Sequence, residues 1–392
     1  MRRSLLKAPL RAALFLGAAC LSLGLSASKS ARADYQGFQF NRYEPTAPGE
    51  WSFWVDHPWY SKTRYFAIGV TADYAHNPLI YFQQMADGSV QRGAPIIGHQ
   101  ITNHLDIAFS FADRVMVNLT APVTVFERGD TAAASFSAAT NPYVSDPRIG
   151  LMLRLYGQPY ASPFSISLGG HVWFPLRAFT GALPEHASDQ MARGIVKIAM
   201  GGLTHNFMWS TTIGALIRPY AEIGDVNDVA VRPTAASELQ LGVALAYANP
   251  RVRFSIGPEL IVSTRMNQGI FQSYTTSIDA LAGFHYNIGS AVDIGFAGGA
   301  GLLRQLGTAD ARAFVRLAYA PIRGAEKAVA RRTEPTPRPI STQRPAGPDR
   351  DHDGVIDSRD RCPDEPAGEN PDAAQPGCPQ RASDRDGDGV FD

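Results

Sequence analysis

Cysteine is scarce: the 392 residues hold three, at positions 20, 362 and 378, so the whole body of the chain between them has none. A disulfide-stapled fold is excluded there, and sheet hydrogen bonds and packing must hold it instead. Charge of one sign is also missing. Lys and Arg number 36 against 36 Asp and Glu, which removes any bulk attraction to nucleic acid. Although 45% of the residues are hydrophobic, nothing beyond the N-terminal stretch reaches the ~18 consecutive apolar residues of a spanning helix. Any membrane crossing must therefore be made by strands. Disorder throughout is excluded too, because aromatics make up 10% and glycines number 36.

The N-terminus has the order of a secretory signal: Arg2, Arg3, Lys7 and Arg11, then apolar Ala12 to Leu25, then the small residues of Ala31-Arg32-Ala33. Residues 1–33 are expected to be removed before Asp34. A lipoprotein signal ending at Cys20 is the alternative, disfavoured by Gly17 and by apolar residues continuing past the cysteine. An exported chain meets an oxidising compartment, and Cys362 and Cys378 then form the natural pair, stabilising their loop by about 3 kcal/mol. Zinc is the competing use, but neither a histidine nor a third cysteine stands at ligand spacing.

What is abundant is alternation with a period of two. Val252, Phe254, Ile256, Pro258, Leu260 and Val262 alternate with Arg251, Arg253, Ser255, Gly257 and Glu259, which collects the charges on one face of a strand and would scatter them on a helix. The same pattern runs through Leu239 to Tyr247, Ile149 to Leu155, Phe164 to Phe174 and Val115 to Val125. Twelve strands are expected, near 64–74, 98–111, 114–126, 147–157, 163–175, 194–207, 210–222, 237–248, 251–265, 272–287, 290–304 and 310–320. Long links at 75–97, 127–146, 176–193 and 223–236 alternate with short turns such as Ala112-Asp113, Met208-Trp209 and Ile288-Gly289. That is the connection pattern of an outer-membrane barrel, with both ends on the short-turn side, the periplasm.

The competing fold is a soluble sandwich or lipocalin-like barrel with apolar side chains turned inward. Many of the segments reach 11 residues or more, the length needed to cross a bilayer at a tilt, whereas soluble strands centre near ~5–6. The fold class is therefore all-β, an antiparallel transmembrane barrel over 64–320. Its lumen face is expected to carry Asp106, Arg148, Arg154, Lys197, Arg218, Glu238, Arg251, Arg253, Glu259, Asp279, Asp293, Arg312 and Arg316. Opposite charges there either face each other across water, giving a transverse field, or pair and close the passage. An enzyme is not expected. His104, His171, His205 and His285 are the available bases for a lipid hydrolase, but none belongs to a motif that supplies a nucleophile and an orienting partner.

At Pro321 the composition shifts. Residues 321–348 are a proline-punctuated linker with six basic and two acidic residues, and residues 349–392 reverse the sign with 13 acidic and five basic. The acids are ordered: Asp349, Asp351, Asp353-Gly354, Asp357 and Asp360, then again Asp384, Asp386, Asp388-Gly389 and Asp392. Alternate carboxylates on a loop bent at glycine converge on one hard cation, with the Val355 carbonyl as a further ligand, and this suits Ca2+. An EF-hand lacks room for its helices here, since Pro348 precedes the loop and Cys362-Pro363 follows it.

The D-x-D-x-D-G loops with Cys362-Pro363-Asp364 and Cys378-Pro379 resemble thrombospondin type 3 repeats. Barrel followed by such repeats resembles the OmpA-like outer-membrane family of Gram-negative bacteria. The resemblance extends to Phe38-Gln39-Phe40-Asn41-Arg42-Tyr43, Ala72-Asp73-Tyr74-Ala75-His76-Asn77-Pro78-Leu79, Ala112-Asp113-Arg114, Thr120-Ala121-Pro122-Val123 and Leu317-Ala318-Tyr319-Ala320-Pro321. It implies residence in outer-membrane lipid, a periplasmic tail stiffened by calcium, a role in envelope integrity with passive diffusion of small solutes, and contact with peptidoglycan through a C-terminal domain. The sequence stops part-way through the second loop at Asp392, so the expectation is either that it is incomplete or that this anchor has been lost. Residues 34–63 are expected to be a periplasmic lead-in. Two alternative functions stay open, an outer-membrane lipid hydrolase and a calcium-dependent surface adhesin.

Overall fold

The computed structural model describes residues 37–58, 66–84, 90–111, 114–130, 138–158, 161–181, 183–222, 234–249, 253–267, 269–321 and 347–380. The chain divides into two compact units, residues 1–326 and 327–392. In the first, the strands are β1 (Phe66–Gln84), β2 (Val90–Phe111), β3 (Val115–Arg128), β4 (Tyr143–Val144), β5 (Arg148–Tyr156), β6 (Ser165–Trp173), β7 (Arg193–Thr204), β8 (Phe207–Ile217), β9 (Ala221–Glu222), β10 (Thr234–Ala235), β11 (Glu238–Asn249), β12 (Phe254–Arg265), β13 (Thr276–Ile288), β14 (Val292–Leu303) and β15 (Ala311–Tyr319). One five-residue helix, α1 (Leu176–Thr180), lies between β6 and β7.

Thirteen strands share one sheet, and without the two-residue β4 twelve remain. Each pairs antiparallel with its neighbours, and β1 pairs with β15 from Ile68↔Tyr319 to His76↔Ala311. The sheet is thus a closed ring without a free edge, as expected for a membrane-crossing sheet. β9 and β10 form a separate two-stranded ribbon in the long link after β8.

Strand β15 shows why the ring is inverted relative to a soluble protein. Arg312, Phe314, Arg316 and Ala318 are buried, while Ala311, Ala313, Val315, Leu317 and Tyr319 are exposed. Arg316, 1% exposed, is among the largest fully buried side chains, whereas Leu105, Leu245 and Leu317 on the outer face are about half exposed. Holding the exposed half of such side chains in water forgoes about half of the ~1.5–3 kcal/mol of full burial each, which a hydrocarbon surround returns. The soluble alternative, apolar side chains inward, is not what this chain adopts. Near the short-turn end the outer face carries ring contacts Phe66–Phe109, Tyr156–Phe164, Phe164–Trp209, Phe207–Tyr247, Tyr247–Phe254 and Phe254–Phe284. Such an aromatic girdle suits the membrane–water boundary.

Three expectations are corrected. The link at 75–97 is largely strand, because β1 and β2 run on to Gln84 and back from Val90. Register shifts between His76 and Phe82 break the period of two and hide the strand from a pattern reading. The turn placed at Met208-Trp209 lies instead between β7 and β8 at His205 and Asn206, where His205 takes φ 57°. Most consequentially, residues 37–58 do not lead in from outside the barrel: they pack within the ring.

In the second unit, residues 347–380 form a loop-rich fold with an isolated bridge between Pro371 and Pro379. A disulfide joins Cys362 to Cys378, with Cα atoms 5.2 Å apart. The amides of Asp372 and Gln380 donate to the carbonyls of Cys378 and Asn370, which ties the loop's arms together.

Candidate functional site

The lumen is lined by the inward residues of all twelve strands and filled by the chain that precedes them. Its occupant begins at the long-loop end. There the Phe38 amide donates to the Glu185 carbonyl, and Phe38 and Phe40 pack on Leu79, Ile97, Ala221 and Ala235. The Gln39 amide donates to Asp189 at 3.1 Å, its side-chain oxygen accepts from Arg193, and its carbonyl accepts from Arg218 at 3.2 Å. Burial alone would raise the Asp189 carboxyl, but the Arg218 and Arg193 guanidiniums beside it hold it below the usual carboxylate range. Neighbouring Asp146 goes the other way. Burial pushes it up, against the pull of Arg193.

Halfway down, charges on the segment meet opposite charges on the wall. Arg42 forks onto Glu238 of β11, with contacts of 2.7 and 3.2 Å. Lys197 of β7 reaches Glu44 at 3.2 Å and Asp56 at 3.1 Å, while Arg148 of β5 donates to the Pro45 carbonyl and lies 3.7 Å from Glu44. Asn41 donates to Asp73 of β1, which also takes Arg312 of β15. Paired charges are the condition on which ionised groups can be buried at all.

Lower still, the segment folds into a tight turn with Gly49 at φ 76°, closed by the Thr46 amide donating to the Phe53 carbonyl. Glu259 of β12 accepts three successive amides, Phe53 at 2.6 Å, Trp54 at 2.9 Å and Val55 at 2.8 Å. Arg316 donates to Thr46 Oγ1, the Ser52 and Phe53 carbonyls and the Tyr43 hydroxyl. Tyr43, Phe53, Trp54 and Val55 join Met208, Ala244, Ile261, Leu281 and Phe314 in an apolar cluster inside the ring. Glycine shapes the wall for it: a Cβ on Gly283 or Gly295 would stand 2.9 or 2.8 Å from the Phe53 ring. Between segment and wall a cavity of about 30 Å³ remains, bordered by Arg42, Glu238 and Asp279, room for one or two waters.

Of the residues expected to line the lumen, Asp106, Arg148, Arg154, Lys197, Glu238, Glu259, Asp279, Asp293, Arg312 and Arg316 are buried on the inner face, and Arg218 reaches into the network around Gln39. Arg253 does not line it. It is exposed in the turn before β12 at φ 58° and donates to the Gly289 carbonyl, because the alternation ends where the strand does. Arg251 lies outside the described residues. His104 and His171 are buried, His205 is exposed in its turn, and His285 pairs with Asp293 at 3.1 Å and packs on Phe53. Sequence reasoning missed Arg42, Glu44, Asp56, Asp73, Asp189 and Arg193. The density of aromatics over 38–54, without alternation, was the signal that this stretch is buried.

In the tail, Asp349, Asp351 and Asp353 bring carboxylate oxygens within 4.8 Å of one another. Asp349 Oδ1, Asp351 Oδ2 and Asp360 Oδ2 are buried atoms without a hydrogen-bond partner. Partial burial, then repulsion from Asp353, Asp360 and Asp349, lifts the Asp351 carboxyl above its ordinary value. A hard cation fits such converging, unanswered oxygens. Gly354, at φ 96°, makes the bend. Asp357 instead accepts the Arg350 amide, and the expected ligands Asp384, Asp386, Asp388 and Asp392 lie outside the described residues.

No protein family's sequence profile matches this chain, and no curated protein matches it. Among solved structures, the chain is similar to an outer-membrane channel from Pseudomonas putida F1, with 12% identity, 70% of this chain and 99% of that one covered, and a TM-score of 0.49. It is also similar to the NanC porin, with 8% identity, 65% and 98% covered and a TM-score of 0.39. A third similarity is to the KdgM porin in complex with disordered oligogalacturonate, at 14% identity, 64% and 98% covered and a TM-score of 0.34. The closed, lipid-facing ring itself defines the class: an all-β antiparallel barrel of porin-like architecture.

Proposed function

We propose that this chain is an outer-membrane channel whose passage for small solutes is kept shut by its own residues 37–58. The observation that carries this reading is the combination of an apolar exterior with a charged interior occupied by a threaded segment. A purely structural barrel could close its lumen with wall-to-wall ion pairs. Here, besides wall-to-wall pairs such as Arg312 with Asp73, the wall charges engage a separate segment of the chain, through Glu238, Glu259, Lys197 and Arg316. Passive diffusion follows when the segment withdraws. β1 begins and β15 ends at the short-turn side, which supports a periplasmic tail.

The tail extends the reading. Asp349, Asp351 and Asp353, with Asp360 and the Val355 carbonyl nearby in sequence, would hold Ca2+ and stiffen a periplasmic spacer of thrombospondin type 3 character. Such a spacer suits an OmpA-like role in envelope integrity, with peptidoglycan as the expected partner of any domain beyond it. Planar-bilayer recording tests the channel. The full chain should show rare, discrete conductance steps; properly folded protein that never conducts would leave the structural role alone.

A further inference from the structure

We propose that the barrel's inner wall is a peptide-binding site, that residues 42–57 are its resident ligand, and that Glu259 and Arg316 form the catch holding it. The inference rests on the channel reading above and names what keeps that channel shut. Glu259 and Arg316 grip one turn from two strands, and they divide its backbone between them. The carboxylate takes the amides of Phe53, Trp54 and Val55 at 2.6–2.9 Å. The guanidinium takes the carbonyls of Ser52 and Phe53 at 2.9 and 3.2 Å, besides the Thr46 and Tyr43 hydroxyls.

Two more wall groups read backbone carbonyls: Arg148 at Pro45 and Ser210 at Asp56. Hydrogen bonds to ionised groups are the strong ones, and without the segment these buried charges would need water or another ligand. The ligand class follows from what the wall reads. It is a turn-forming peptide with free amides and carbonyls, an aromatic for the recess at Gly283 and Gly295, a cation for Glu238 and acids for Lys197.

The test compares three proteins in planar bilayers: the full chain, the full chain with Glu259→Ala, and a chain lacking residues 37–58. Glu259→Ala should raise the open fraction by roughly ten-fold or more, since a charged acceptor of three amides is gone. The shortened chain should conduct continuously, and a synthetic peptide of residues 38–57 should block it saturably. Block should weaken by at least about ten-fold when the shortened chain also carries Glu259→Ala. A shortened chain that conducts but is indifferent to the peptide, or to Glu259→Ala, overturns the catch and leaves the channel standing. A shortened chain that folds without conducting overturns the channel reading, and fluorescence titration with the same peptide then decides the site by itself. If the shortened chain does not fold, hydrogen exchange in the full chain decides: amides 53–55 should exchange faster in Glu259→Ala, and unchanged exchange overturns the proposal.

Discussion

Replacing Phe53 by Ala tests the packing of the threaded segment quantitatively. Phe53 is fully buried; its ring lies 4.5 Å from His285 and 5.9 Å from Phe314, with Arg316 4.7 Å above it. Truncating a buried Phe to Ala costs ~3–5 kcal/mol in lost transfer and residual cavity. Here that cost falls on the inserted state, because Phe53 makes these contacts only when the segment is in place. At about 1.4 kcal/mol per factor of ten, the withdrawn population should rise on the order of 10²–10⁴-fold. Hydrogen exchange of residues 46–56 in proteoliposomes reads this directly, with strand β15 as an internal reference. Faster exchange confined to the segment is expected. Equal protection in the variant and the parent would refute the packing argument, since the cavity would then carry no cost.

Further expectations concern the wall, the mouth and the tail. Val315→Arg places a charge on the outer face of β15 and should destabilise folding into lipid vesicles by ~2–4 kcal/mol, whereas a soluble-faced barrel would tolerate it. Asp189 has its carboxyl held low by Arg218 and Arg193, so its contribution is complete above the ordinary Asp value near ~4 and is lost as pH falls through the lowered one. Acidification below about pH 4 should therefore loosen Gln39 at the long-loop mouth, seen as faster exchange of its amide. Asp351 has the opposite sign. Its raised carboxyl favours the metal-free loop in acid and disfavours it once ionised, so calcium affinity by calorimetry should fall as pH drops, and Asp351→Ala or Asp353→Ala should weaken binding at neutral pH. Cys362→Ser should cost the tail about 3 kcal/mol in denaturant titration.

Much of the ring was legible because its two faces face different solvents. On β15 every second residue meets lipid from end to end, and on β12 the period of two holds until Ser263, where three successive residues are buried. Where a bulge intervenes, as between His76 and Phe82, the period slips and the strand reads as a loop. Charges on the inner face, such as Glu238 and Lys197, could be assigned from the same alternation, but their partners could not. Arg42 and Glu44 lie on a stretch with no period at all, held by groups about 200 and 150 residues away. Sequence spacing carries no information about such long-range pairing, and only the aromatic density of 38–54 marked the segment as buried. Arg253 illustrates the reverse error, an alternating position that falls past the strand's end.

A lipid-facing exterior around an occupied lumen is tested on both counts by one measurement, with spin labels along β15. Labels at Ala313, Val315 and Leu317 should be reached by oxygen dissolved in the bilayer, and labels at Phe314 and Ala318 should be shielded from both oxygen and a water-soluble nickel chelate. Free access of the chelate to the inner positions would contradict the filled lumen, and failure of oxygen to reach the outer ones would contradict the barrel's place in lipid.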